Sequence, residues 1–281
     1  MIDYKSLSTR DRIIFILKSK LSSYQVLLDD LKSTSIKNGS SPDLLWSVIL
    51  MNLAAVGNSK AAERFSEYQS LVTYKNMLNI HEDAEIHYVF LMENSPLFRE
   101  YVLQGDFQKD GYVSDPDNIL NAMFSIYFKK AGVRYYPMKS KTAVDIFNLI
   151  KEMGGLTAFH QYLMDFKSLD DILKYLKSIK GIGDKLSRNI LMDIYHPLLK
   201  NSFALDIRLN SICEVLGISE LSYEDQETEL RKIAETLGIN AWELDRLMYN
   251  GSKDILETYH CLNRFSDDLN NNNISLVFKH D

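Results

Sequence analysis

The strongest chemical signal in the sequence lies in Lys185 and Asp206 and in the two glycines just before the lysine. Lys185 follows Gly181-Ile182-Gly183-Asp184 and precedes Leu186, Ile190, Leu191 and Ile194, whose spacing predicts a helix from about Asp184 to Tyr195. An amine near the amino end of a helix meets the positive end of the peptide dipoles, which disfavours the ammonium form and leaves some free amine, a nucleophile. Gly181 and Gly183 allow positive φ and let the backbone approach a ligand without a Cβ in the way. The N–H groups of such a turn and of the first helical residues point outward together and form a small anion site, suited to one DNA phosphate. A grip of that kind holds a backbone without reading sequence. Asp206 precedes Leu209, Ile212 and Leu216, with Gly217 after them, and so caps a further helix.

The elements that must position these residues are marked by caps. Ser168 with Asp171 forms an S-x-x-D box ahead of Ile172, Leu173 and Leu176, and that helix ends at Lys180 and Gly181. The helix after the hairpin stops where Pro197 disfavours helical geometry at His196. Upstream, Ser41-Pro42 opens a helix carrying Leu45, Trp46, Ile49, Leu50 and Leu53, and Asp115-Pro116 repeats the device. Downstream, Ser222 with Asp225 and Asn240 with Glu243 open two more. Residues 75–114 are less periodic and read as an insertion, and the asparagine-rich stretch after Asp267 reads as a loose end. With five prolines, twelve glycines and no alternating β-branched runs in 281 residues, the predicted fold class is all-α. Trp46 and Trp242 are expected in the core.

Composition excludes several classes. No apolar run approaches the roughly 20 residues that span a bilayer, and the first residues lack the pattern of a secretory signal, so a cytoplasmic or nucleoid-associated protein without a membrane partner is expected, nuclear if the source is eukaryotic. Cys213 and Cys261, the only cysteines, cannot make a four-cysteine zinc or iron–sulfur site. The net charge of −6 argues against non-specific coating of nucleic acid. Its distribution is uneven: Lys129 to Lys151 holds six bases and one acid, whereas Glu220 to Glu257 holds ten acids and four bases. One part of the molecule can meet a polyanion while another repels it.

The stretch Ile179, Gly181, Gly183, Lys185, followed at a distance by Ala204-Leu205-Asp206-Ile207-Arg208, resembles the helix-hairpin-helix DNA glycosylase superfamily, which includes endonuclease III and 8-oxoguanine DNA glycosylase. The likeness extends to Ser41–Phe65, similar to the family's first core helix and the loop that enters the duplex, and to Gly132–Gly155, similar to the basic helix before the hairpin, with Lys139-Ser140-Lys141. It covers roughly residues 41–255. The resemblance implies two helical subdomains flanking a DNA-binding cleft: residues 41–199, a barrel-type domain with the hairpin unit at 169–195, and residues 1–40 together with 200–281. It implies a monomeric bifunctional DNA glycosylase and apurinic-site lyase acting on double-stranded DNA with a damaged base, 8-oxoguanine first among the candidates. Lys185 would attack the sugar C1′, expel the base and form a Schiff base, while Asp206 activates the amine and stabilises positive charge on the sugar. Lys180, Gly181, Ile182, Gly183, Ser187 and Arg208 would bind DNA, and Asn52 would fill the gap left by a flipped nucleotide. No metal or other cofactor is expected beyond a monovalent cation at the hairpin. Asp184 departs from the pattern by placing a negative charge beside the expected phosphate, and Arg208 stands where several relatives have histidine.

Each residue also has a plainer reading. Lys185 suits a phosphate contact in a non-catalytic hairpin, and Asp206 suits a helix cap and nothing more. Their joint spacing favours catalysis. The competing functions are a DNA-binding module without chemistry and a glycosylase of modified nucleosides; a glycosylase without lyase activity is disfavoured by the lysine.

Overall fold

The computed structural model describes residues 2–104, 115–271 and 277–278. Among these the chain forms fourteen α-helices: α1 (Thr9–Ser40), α2 (Pro42–Ala55), α3 (Ser59–Phe65), α4 (Tyr74–Glu82), α5 (Ala84–Asn94), α6 (Pro96–Leu103), α7 (Pro116–Ala131), α8 (Tyr136–Glu152), α9 (Leu156–Asp165), α10 (Leu169–Ser178), α11 (Asp184–Asp193), α12 (Ile207–Leu216), α13 (Tyr223–Leu237) and α14 (Ala241–Asn271). Extended structure among the described residues is limited to β1 (Ile2–Asp3) paired antiparallel with β2 (Val277–Phe278), Ile2 opposite Phe278. The fold class is all-α, as the sequence predicts. No helix among the described residues is long and apolar enough to cross a membrane.

The caps explain where the helices begin. Asp115, Ser168, Asp206 and Ser222 each accept a main-chain N–H from the first turn they precede. Asn240 and Glu243 form a reciprocal box, Asn240 Oδ1 accepting from Glu243 N at 2.9 Å and Glu243 Oε2 accepting from Asn240 N at 3.0 Å. Ser41 makes no side-chain cap bond, so α2 starts on Pro42 alone. The stretch read as an insertion is helical over α4, α5 and α6, with Thr73 and Ser95 as caps. Helix α5 exposes Ile86, Val89 and Phe90, so its apolar residues do not fall on one buried stripe and its periodicity is blurred in sequence. Residues 105–114 lie outside the described residues. Helix α14 runs past Asp267 to Asn271, and the asparagine-rich stretch beyond it, 272–276, lies outside the described residues, as do 279–281.

The chain divides into two compact units, Ser35–His196 and Met1–Thr34 with Pro197–Asp281. The sequence-based boundaries of 41–199 and 1–40 with 200–281 differ because α1 is one continuous helix that contributes to both units. In the first unit Trp46 forms the centre of an aromatic cluster, its ring centroid 6.0 Å from Phe124 and 6.3 Å from Phe147, with Nε1 donating to the carbonyl of Val72 at 2.8 Å. In the second, Leu209, Ile212 and Cys213 of α12 pack with Leu230 and Ile233 of α13, Leu244 and Leu247 of α14, and Ile13 and Ile16 of α1. Trp242 is also core. Burial pushes the Cys213 thiol up to about 11, while Cys261 is exposed, and neither is in a disulfide.

Candidate functional site

The first unit contains a helix, a five-residue turn and a helix: α10, residues 179–183, and α11. Ile179 and Ile182 anchor the turn by burying their side chains, and Ile182 N donates to Ile179 O at 3.0 Å. Gly181, Gly183, Lys180 and Lys185 are exposed around them. The two glycines do different things. Gly181 has φ +91°, and a Cβ there would collide with Thr142 of α8, so glycine is required by conformation and by space. Gly183 has φ −99° and ψ −177°, extended backbone that any residue adopts, which corrects the expectation of positive φ at both. A Cβ on Gly183 would meet nothing within 4 Å, so what glycine keeps there is an open approach to the backbone.

Lys185 is the second residue of α11, and Gly183 is its N-cap. Asp184, the acid expected to weaken an anion site, is paired: Lys177 Nζ lies 2.6 Å from Asp184 Oδ1 across the turn. Both side chains are largely exposed, so the pair adds about 0–1 kcal/mol of stability. Its consequence is electrostatic, since it neutralises the acid beside the turn. Of the residues expected at the DNA surface, one is not there and another offers no side chain to it. Ser187 is fully buried and its hydroxyl donates to Asp184 O at 2.8 Å, inside its own helix. Ile182 is an anchor whose side chain is buried, so only its main chain can face a ligand.

Asn52 is a third correction. It is 7 % exposed, and its Nδ2 donates to Val48 O at 3.0 Å and to Asp193 Oδ2 at 2.8 Å. It therefore ties α2 to the end of α11 and cannot fill a gap in a duplex. The other side of that helix end is held by Asn38 Nδ2, which donates to Asp193 O at 3.1 Å.

Helix α8 meets both the turn and the α2–α3 loop with residues one helical turn apart. Thr142 meets Gly181, Lys139 Nζ donates to Val56 O at 2.7 Å, and Arg134, just before α8, lies beside Gly57. Lys139, expected on a basic surface, is 4 % exposed, and burial lowers its pKa to about 8. The large apolar side chains exposed here are Tyr135, at 75 %, and Met138, at 58 %. Tyr135 holds φ +55°, a costly conformation for a residue with a Cβ. No sequence signal separates this tyrosine from Tyr136 beside it, because exposure follows from the turn that starts α8.

Asp206 and Arg208 belong to the second unit. Asp206 is 8 % exposed and its Oδ1 accepts from Arg208 N at 2.9 Å and Leu209 N at 3.2 Å, capping α12. The guanidinium of Arg208 lies 4.4 Å above the Tyr249 ring at the surface. The segment leading into Asp206 is gripped by residues the sequence reading missed. Glu227 Oε1 accepts from Ser202 Oγ at 2.5 Å and Phe203 N at 2.9 Å; Asp245 Oδ2 accepts from Ala204 N at 2.8 Å; Tyr223 OH donates to Phe203 O at 2.6 Å. A signal was present: Glu227 precedes Leu230 and Ile233 at helical spacing, and an acid on an apolar stripe has to find partners. Among the described residues no group of three or more His, Cys, Asp or Glu is placed to hold a metal ion.

No family model matches the sequence, and no curated protein matches it. The fold does have a counterpart: the 8-oxoguanine DNA glycosylase of Thermotoga maritima superposes with a TM-score of 0.57 at 15 % identity, over 85 % of this chain and 95 % of that one. The match takes in most of both chains, and this chain therefore has the fold of that DNA glycosylase.

Proposed function

We propose that this chain is a DNA glycosylase with apurinic-site lyase activity. The observation that carries the reading is the placement of Lys185, exposed in the first turn of α11 directly after a glycine turn with an unobstructed backbone at Gly183. The turn takes a DNA phosphate on main-chain N–H groups at the start of α11, with Lys180 and the amine of Lys185 beside it. The free amine attacks C1′ of the damaged nucleotide, and the base departs with the electron pair of the glycosidic bond and takes up a proton. The nitrogen of the adduct gives up one proton, and its electron pair forms the C=N bond of a protonated Schiff base as the C1′–O4′ bond breaks and O4′ takes up a proton; removal of a C2′ proton then forms the C2′=C3′ bond and breaks C3′–O3′, expelling the 3′ phosphate. Asp206 supplies the carboxylate that steadies positive charge on the sugar. Tyr135 replaces Asn52 as the side chain that enters the stack: it is aromatic and exposed, and it follows Arg134, which lies beside Gly57 of the α2–α3 loop. We infer an oxidised purine as the substrate class, a reading supported by the fold shared with an 8-oxoguanine DNA glycosylase. A monovalent cation at the turn would rest on main-chain carbonyls, because the side chains that border it are lysines, isoleucines and Asp184, which is already paired.

The test is borohydride trapping on duplexes carrying single lesions, 8-oxoguanine among them. A covalent adduct is expected with the unaltered protein and none with Lys185→Gln; equal trapping by the variant removes Lys185 from the mechanism. Asp206→Asn keeps a good helix cap, so stability should stay within about 0.5 kcal/mol while excision falls at least ~100-fold. Duplex binding without nicking would instead mark a module without chemistry, and release of base from free nucleosides would mark a nucleoside enzyme.

A further inference from the structure

A buried segment outside helices and strands has no ladder or helix to satisfy its main chain, and unsatisfied buried N–H and C=O groups are costly. Residues 202–206 are such a segment: Ser202, Phe203 and Ala204 are 1 %, 0 % and 5 % exposed, and Asp206 follows at its end. Three side chains from two helices take the place of strands. Glu227 of α13 holds the hydroxyl of Ser202 and the N–H of Phe203; Asp245 of α14 holds the N–H of Ala204. Tyr223, at the start of α13, bridges two residues with one hydroxyl, donating to Phe203 O at 2.6 Å and accepting from Leu205 N at 3.4 Å. The main-chain links are thus made one residue after another up to Leu205, directly before the carboxylate.

We propose that Glu227, Tyr223 and Asp245 are positioning residues for Asp206, an inference that rests on the glycosylase reading. A carboxylate that acts on a developing charge has to be held within about 0.5 Å of its working place, and the holding falls to the residues behind it. The helix α12 fixes Asp206 from its C-terminal side through the cap bonds to Arg208 and Leu209. The clamp fixes it from the N-terminal side. Both carboxylates of the clamp are buried, Glu227 7 % and Asp245 2 % exposed, and an apolar residue at either place would leave the main-chain donors they receive without an acceptor. What the clamp needs from Glu227 is an acceptor oxygen at the right place, which glutamine also provides and leucine does not.

The experiment compares Glu227→Gln, Glu227→Leu and Tyr223→Phe by single-turnover excision, duplex affinity, thermal unfolding and amide hydrogen exchange over residues 203–205. Glu227→Gln is expected within about threefold of the unaltered excision rate. Glu227→Leu is expected to lose at least ~30-fold in rate with less than threefold change in duplex affinity, and to exchange the 203–205 amides faster. An unaltered rate in Glu227→Leu, or a loss in Glu227→Gln as large as in Glu227→Leu, overturns the proposal. If Glu227→Leu does not fold, Tyr223→Phe decides: a loss of about tenfold with the fold kept supports positioning, and an unchanged rate refutes it. If the unaltered protein excises no base, the glycosylase reading fails and with it the catalytic purpose of the clamp; the exchange of the 203–205 amides then reports the clamp separately, its acceleration in Glu227→Leu showing that the grip exists.

Discussion

Asn52 Nδ2 donates to Asp193 Oδ2 across 2.8 Å, joining the middle of α2 to the last residue of α11. The bond makes the far end of the hairpin's second helix part of the aromatic core's scaffold, since α2 also carries Trp46. Asn52→Leu leaves the Asp193 carboxylate short of a donor, and a loss of about 1–3 kcal/mol is expected. Urea unfolding measures it. A variant as stable as the parent but weaker on DNA would return Asn52 to the interface.

The two glycines of the turn should separate cleanly. Gly181→Ala places a Cβ at φ +91° against Thr142, and about 2–4 kcal/mol of stability should be lost. Gly183→Ala has an ordinary φ and open space, so it should lose no more than about 1 kcal/mol, the cost of a poorer N-cap for α11. Its duplex affinity should fall about tenfold or more, because the new methyl stands where the phosphate approaches the main chain. Fluorescence anisotropy on a lesion-bearing duplex, beside thermal unfolding, reads both; equal affinity of Gly183→Ala and parent would place the phosphate elsewhere.

Lys139 should give the protein a pH dependence of defined sign. Burial lowers its pKa to about 8, below the 10.5 of a free lysine, so between these values the unfolded chain binds more protons than the folded one. Its contribution to stability is therefore absent below pH 8 and grows as pH rises towards 10.5. Relative to Lys139→Met, the parent should gain up to about 2 kcal/mol between pH 7 and 9.5. Urea unfolding of both proteins at the two pH values checks it; a difference that stays flat or shrinks would show that the ammonium is as well accommodated in the fold as in water.

Much of this architecture was legible in the sequence because it is written in local chemistry. Ser168, Asp206, Ser222 and Asn240 cap the helices they precede, since a cap needs only a short polar side chain two or three residues from the N–H groups it serves. The α10–turn–α11 unit follows from apolar periodicity broken by two glycines. Burial was not legible in the same way. Ser187, Asn52 and Lys139 are polar residues that the fold buries, and each looks from its neighbours like a surface residue.

By itself the sequence marked the capped starts of α7, α10, α12, α13 and α14 and the glycine turn between α10 and α11, because hydrogen bonds within one or two turns and the period of apolar residues act over short stretches of chain. Only the tertiary structure decided that Asn52 braces Asp193, that Lys139 seals Val56, and that Glu227, Tyr223 and Asp245 grip the segment leading into Asp206. These links join residues from 18 to 141 positions apart. At such separations the partner of a polar side chain is set by which helices pack together, and a buried polar group takes whichever donor or acceptor that packing brings within reach.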